Sequence, residues 1–199
     1  MQYLNIHTHQ QLHNGEFTVP SFGLHPWNVT DSWHDDIDKV ECQIKTFLAK
    51  ESMCLVGECG LDRLYNATYQ QQLDAFKAQV EISERHRLPM IIHCVKAWDD
   101  LLRLRRSASL PWVIHGFRGK PTQLWQLLNH DCLISFGFYY NIDSLRECPL
   151  ERMFLETDAI DRPIAELYQS VAQVKGLTVE ALQQQMQLNL HVSLFGKSI

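Results

Sequence analysis

The sequence predicts an α/β fold of parallel strands curled into an incomplete barrel, on three observations. Short apolar runs rich in Val, Ile and Phe alternate with longer segments of helical period, the pattern of repeated βα units. Nearly every one of those runs ends in His, Glu or Asp. Only Gln10–Glu16 separates the first run from the second, and a parallel crossover normally needs roughly a dozen residues or more, so one βα unit is missing there.

Strands are expected near Tyr3–His7, Phe17–Leu24, Cys54–Gly57, Met90–His93, Trp112–His115, Leu133–Gly137 and Met153–Glu156. The first helix, Asp35–Lys50, opens on an acidic cluster suited to a helix N-terminus and lines up Ile37, Val40, Ile44, Phe47 and Leu48 on one stripe. Thr68–His86 turns Leu73, Phe76, Val80 and Ile82 inward, and Pro89 then stops the helix and opens the next strand. Further helices are expected over Trp98–Arg106, Thr122–Asn129, Ile164–Lys175 and Val179–Phe195. About seven strands is one short of a full TIM-like (β/α) barrel. The expected architecture is therefore a distorted or reduced TIM-like barrel. The linkers are short and show no low-complexity tract, so residues 1–199 are read as one domain.

Composition narrows the function. With 199 residues, 45% of them hydrophobic and 10% aromatic, the chain can bury a sizeable core. A net charge of −5 argues against a broad basic surface for duplex DNA, so a nucleic-acid substrate would have to be gripped locally. Bound divalent cations could supply that grip without entering the sequence charge. The six cysteines form no CxxC pair, and Met1–Asn5 lacks a basic-then-apolar leader, which points to a reducing cytoplasm. No apolar stretch approaches the roughly 18 residues needed to cross a bilayer. A cytoplasmic protein without membrane contact, and a monomer, is expected.

Active sites of parallel barrels are built at the C-terminal ends of the strands, and those ends carry a consistent set of side chains. The first strand ends His7-Thr8-His9, the second Leu24-His25-Pro26-Trp27, and the third runs Gly57-Glu58-Cys59-Gly60-Leu61-Asp62. The others end Ile92-His93, Ile114-His115-Gly116 and Leu155-Glu156-Thr157-Asp158. His7 and His9, spaced i, i+2, point to one face of a strand and can serve one ion together. Apolar strands ending in unpaired polar groups would be costly unless a cation organised them. His7, His9, Glu58, His93, His115 and Asp158 are thus the candidate metal ligands, more than one tetrahedral ion requires. Two divalent ions roughly 3.5–4 Å apart would explain the surplus. The donors suit Zn²⁺, Mn²⁺ or Fe²⁺, Mg²⁺ being less natural for so much imidazole. His13, His34, His86, His130 and His191 fall away from that rim and are read as ordinary surface or capping residues.

The ordered set of motifs, from His7-Thr8-His9 through Gly23-Leu24-His25-Pro26, Gly57-Glu58-Cys59-Gly60-Leu61-Asp62, Ile91-Ile92-His93 and His115-Gly116-Phe117-Arg118-Gly119 to Leu155-Glu156-Thr157-Asp158, resembles the TatD family of metal-dependent deoxyribonucleases, within the amidohydrolase-like barrels. The resemblance implies that His7 and His9 bind a first ion, His93 and His115 a second, that Glu58 bridges them, and that Asp158 contacts the first ion and the nucleophilic water. It further implies that His25 faces the scissile phosphate, so that Asp158, Glu58 and His25 are the catalytic candidates. The implied activity is phosphodiester hydrolysis, as a DNase or 3′ to 5′ exonuclease on single-stranded or frayed ends. Here Asn5 and Gln10-Gln11 stand where the family often has acids, Trp27 where it usually has a second imidazole, and the loops after His9 and Asp158 are short.

In the expected mechanism Asp158 orients a metal-activated water and accepts its proton, while the ions neutralise charge in the transition state. Arg63, Lys96 and Arg118 follow rim motifs and are candidate phosphate contacts. Trp27 and Phe117 either offer stacking surfaces for an unpaired base or are buried as rim packing. Two other functions remain open to the sequence: the same metal chemistry on a small amide, lactone or phosphate ester, and a metal-binding scaffold with little turnover.

Overall fold

The structure, a computed structural model, describes residues 2–51 and 53–196. In chain order its strands are β1 (Tyr3–Leu4), β2 (Glu16–Phe17), β3 (Ser21–Phe22), β4 (Leu55–Asp62), β5 (Met90–Val95), β6 (Trp112–Ile114), β7 (Cys132–Phe136) and β8 (Met153–Leu155). Its α-helices are α1 (Trp33–Leu48), α2 (Tyr69–His86), α3 (Trp98–Arg105), α4 (Pro121–Leu128), α5 (Ile142–Glu147), α6 (Ile164–Lys175) and α7 (Val179–Leu188). The class is α/β with parallel strands, as the alternation of apolar runs and helical periods predicts. The chain divides into two compact units, Pro20–Val113 and Met1–Val19 with Ile114–Ile199.

In the Pro20–Val113 unit, β3 pairs with β4 in the register Ser21↔Leu55 and Phe22↔Val56, and β4 pairs with β5 through Gly60↔His93. The expected strand Phe17–Leu24 is two separate pieces, because Pro20 has no N–H to give a ladder. The expected strand Cys54–Gly57 instead runs on to Asp62, and all eight residues of β4 are buried. Two glycines make that possible. Gly57 and Gly60 adopt φ of 142° and 146°, and a Cβ on Gly60 would sit 2.0 Å from the His93 carbonyl oxygen. The register shifts between Val56 and Cys59, so Glu58 emerges beside His93.

Helix α1 buries Ile37, Val40 and Ile44, with Asp35 and Asp36 in its first turn and Lys45 in its last, a charge order that suits the helix dipole. Glu41 on α1 meets His86 and Arg85 of α2, which with Lys45 hold its carboxyl down at about 2. The inward stripe of α2 is more polar than its sequence suggests. Gln72, Ala75, Phe76, Gln79, Ile82 and Ser83 are buried, while Leu73 and Val80 are half-buried. Phe76 meets Trp112 edge-on at 5.3 Å between centroids.

In the other unit, β1 and β2 run parallel in the register Tyr3↔Glu16 and Leu4↔Phe17. No helix lies between them, so the missing βα unit is absent where the short connection places it. Ile6 N–H donates to Leu155 O (3.0 Å), and β8 pairs with β7 through Ile134↔Met153 to Phe136↔Leu155. Helix α6 ends in Gly176 at φ 66°, a left-handed cap glycine takes readily, and α7 opens on Thr178, whose hydroxyl accepts Ala181 N–H. The expected helix Val179–Phe195 is α-helical only to Leu188 and continues as a π-helix over Asn189–Leu194. Asn189 explains the change: it is buried, and its amide donates to the carbonyls of Leu150 (2.7 Å) and Met153 (2.8 Å). Helix α5 has no counterpart in the sequence reading. No helix among the described residues is long and apolar enough to cross a membrane.

Candidate metal centre

Among the described residues, each unit brings a group of metal-type donors together at the C-terminal ends of its strands. In the Pro20–Val113 unit, one ligand atom each from His25, Glu58 and His93 lies within 4.8 Å of the others. Glu58 Oε1 is 2.9 Å from His93 Nδ1 and 3.1 Å from His25 Nε2. The shell behind them is built from polar side chains that the apolar pattern does not reveal. His25 Nδ1 accepts Trp27 N–H (3.1 Å), which turns Nε2 toward Glu58. Gln79 clamps the preceding residue, accepting Leu24 N–H (2.7 Å) and donating to Leu24 O (3.1 Å). Gln72 ties the end of β4 to the turn after it, accepting Asp62 N–H (2.9 Å) and donating to Tyr65 O (3.0 Å). Asp62 in turn accepts Trp27 Nε1–H (2.7 Å) and stands 3.5 Å from His93 Nε2. His93 therefore has a carboxylate on each side, the arrangement by which a ligand ring is oriented.

In the other unit, His7, His115 and Asp158 offer ligand atoms within 4.8 Å of one another. The His7 and His115 rings meet edge-on at 4.9 Å, and those of His7 and His9 at 4.8 Å. Asp158 Oδ1 is 3.7 Å from His9 Nε2 and 4.0 Å from His7 Nε2. The backbone aims Asp158: its N–H donates to His7 O (3.1 Å), its carbonyl accepts His9 N–H (2.9 Å), and its φ is 52°. A left-handed conformation costs a non-glycine residue roughly 1–2 kcal/mol, and here the flanking ladder bonds offset it.

Glu156, two residues before Asp158, is fully buried, and Oε1 accepts Gly116 N–H (2.6 Å) and lies 3.2 Å from His115 Nδ1. Burial pushes its carboxyl up, but the His115 imidazole, with His7 farther off, brings it below the usual glutamate value. Asn5 fixes the neighbouring residue: it accepts Thr157 N–H (3.1 Å) and donates to Thr157 Oγ1 (2.9 Å), which donates to Thr8 Oγ1 (2.9 Å). Sequence reasoning assigned no role to Glu156, Asp62, Gln72 or Gln79. The i, i+2 spacing of Glu156 and Asp158 carried a signal of the same kind as His7 and His9; the buried glutamines carried none.

The structure thus groups His25, Glu58 and His93 in one unit and His7, His9, His115 and Asp158 in the other. His115, which the resemblance pairs with His93, stands beside His7 and Asp158. Among the candidate substrate contacts, Arg63 is held by Asp100 and lies over the Tyr69 ring, 4.4 Å from its centroid. Lys96 is exposed, at φ 53°. Arg118 is exposed over the Tyr139 ring at 5.2 Å. Trp27 is exposed and stacked with Tyr65 at 5.3 Å and an interplanar angle of 27°. Phe117 does not present a stacking face: it is buried and packs edge-on against Phe136, the packing role that its place beside His115 had left open.

The chain is similar to known proteins along nearly its whole length. It is 30% identical over 159 residues to the 3′-5′ ssDNA/RNA exonuclease TatD of Yersinia pseudotuberculosis, covering 69% of this chain and 56% of that protein. It is 27% identical over 206 residues to the uncharacterized metal-dependent hydrolase YcfH of Escherichia coli, covering 90% and 74%. A TatD family hydrolase from Entamoeba histolytica superimposes with a TM-score of 0.76 at 17% identity, over 92% of this chain and 76% of that one, and so shares its fold. The chain spans little more than half the length of the Yersinia relative. The family model described as TatD related DNase matches residues 4–195, and the chain belongs to that family.

Proposed function

We propose that this protein is a metal-dependent hydrolase that cleaves phosphodiester bonds at the 3′ ends of single-stranded or frayed DNA. The observation that carries the reading is the His7–His115–Asp158 group with the buried Glu156 carboxylate behind His115. Imidazole and carboxylate donors converging from separate strands fit a divalent ion of the Zn²⁺, Mn²⁺ or Fe²⁺ type, and His25, Glu58 and His93 fit a second. A bound ion supplies Lewis-acid stabilisation of phosphoryl charge and an activated water.

The residues supply the rest. With its Nδ1 proton directed at Glu156, His115 keeps the Nε2 lone pair for a ligand role. Asp158, part-exposed and fixed through its own backbone, is placed to take a proton from an attacking water. Arg118 and Lys96 are exposed cations suited to phosphate oxygens. Polynucleotide, and not a small ester, is favoured by exposed aromatic surface near both donor groups, and by relatives named as an ssDNA/RNA exonuclease and a putative deoxyribonuclease. The six cysteines form no disulfide, which suits a cytoplasmic setting.

The test is metal analysis of purified protein followed by assay of the reconstituted enzyme on 5′-labelled single-stranded DNA and on a generic phosphodiester. Stepwise shortening from the 3′ end is expected, with Asp158→Asn lowering kcat about 100-fold or more. Hydrolysis of the generic ester with DNA left intact would move the assignment to a small substrate; turnover of neither would reject it.

A further inference from the structure

Beside Asp158 a cleft of about 130 Å³ opens, lined by Gly116, Arg118, Phe138, Tyr139, Asp158 and Ile160 among others. It is well below the roughly 300–1,000 Å³ of pockets that enclose a whole drug-sized ligand, and has room for one ring or one phosphate. In its wall Arg118 lies 5.2 Å from the Tyr139 centroid, and the ring of Phe138, also in the wall, is covered by Arg162 at 4.2 Å. Tyr139 is 65% exposed, a large apolar surface left in solvent next to a candidate ligand.

The two loops that form this wall are fastened from beneath. Ser144 Oγ donates to Gly119 O (2.7 Å), and Asn141 Oδ1 accepts the N–H groups of Asp143 and Ser144 at the start of α5. Phe117 packs on Phe136 below, and Phe117 N–H donates to Ser135 O (3.0 Å). Tyr139 and Arg118 thus project from a pre-ordered base, which lowers the entropy lost on binding. The cations also differ in commitment. Glu166 holds Arg162 and Asp100 holds Arg63, whereas Arg118 has no carboxylate partner among the described residues.

We propose that this cleft is a nucleobase subsite: the base of a nucleotide adjoining the scissile bond stacks on Tyr139 while Arg118 meets the phosphate that follows it. The inference rests on the nuclease reading above and specifies its substrate as an unpaired strand, because a base held in a duplex cannot turn its face to a protein ring. Stacking tolerates any base, so the subsite selects strandedness and not sequence.

The test is a binding cycle in chelator, where no strand is cut. Dissociation constants for fluorescein-labelled oligothymidylate, oligouridylate and a strand of the same length composed only of abasic residues are measured with wild type, Tyr139→Ala and Tyr139→Trp. Tyr139→Ala should weaken binding of a base-bearing strand roughly 5-fold to 150-fold and leave the abasic strand within about twofold, while Tyr139→Trp retains affinity. Coupling on either the thymidylate or the uridylate strand supports the subsite and names the sugar it accepts. Arg118→Ala should weaken all three strands and reduce the slope of log Kd against log salt by about 0.7. Equal losses on base-bearing and abasic strands, no loss at all, or no wild-type binding would overturn the subsite. Base-dependent coupling in a protein that cleaves no DNA when reloaded with metal would retire the nuclease reading and leave the subsite standing.

Discussion

At the scale of single residues, the side chains that touch a candidate ion and those that aim them differ in how they are built. Glu156 has no exposure, yet its Oε1 serves both the Gly116 N–H and the edge of His115. Glu156→Gln keeps the volume and one acceptor but takes away the charge that favours a proton on His115 Nδ1. Metal affinity should fall about 10-fold to 100-fold, as is usual when such a support is removed, read by competition with a chromophoric chelator. An unchanged affinity would show that Glu156 does not act through His115. The contacting residues were legible because six apolar runs each end in an imidazole or carboxylate, a costly pattern without a cation to pair them. Their supports were not. Glu156 sits inside a motif already read for Asp158, and Asn5 looks like a polar residue in an edge strand until its two bonds to Thr157 are seen.

Among elements, α2 joins the packing of its unit to the geometry of His25. Gln79 occupies its buried stripe and satisfies both backbone groups of Leu24, the residue before His25. Gln79→Leu would fit the apolar stripe by size and leave a buried N–H and a buried carbonyl without partners, a loss of about 1–3 kcal/mol for each group left unmet. Urea denaturation should show a lower midpoint at unchanged slope, and a variant as stable as wild type would mean that Leu24 finds other partners. Five helix spans were legible to within two residues because apolar period, acidic first turns and Pro89 agreed, whereas the last, expected to reach Phe195, is α-helical only to Leu188. Strand ends were not: β4 extends through Glu58–Asp62 because Gly57 and Gly60 admit close backbone approach, which a count of apolar residues does not register. Helix α5 spans six residues, too few to show a period, and only its Asn141 cap marked it.

For the whole molecule, each compact unit carries its own donor group, with His25, Glu58 and His93 in one and His7, His115 and Asp158 in the other. Neither group is assembled in an unfolded chain, so an ion bound only by the folded state adds to its stability through mass action. At free metal about 100-fold above the dissociation constant, one site contributes about 2.7 kcal/mol. Melting should therefore shift upward on adding Zn²⁺ or Mn²⁺ and return on chelation. Stoichiometry separates the two groups: elemental analysis should find two ions per chain in wild type, one in His115→Ala and one in His93→Ala. A single substitution that empties the protein of metal would show that both ions depend on shared donors, and the assignment of one ion to each group would fall.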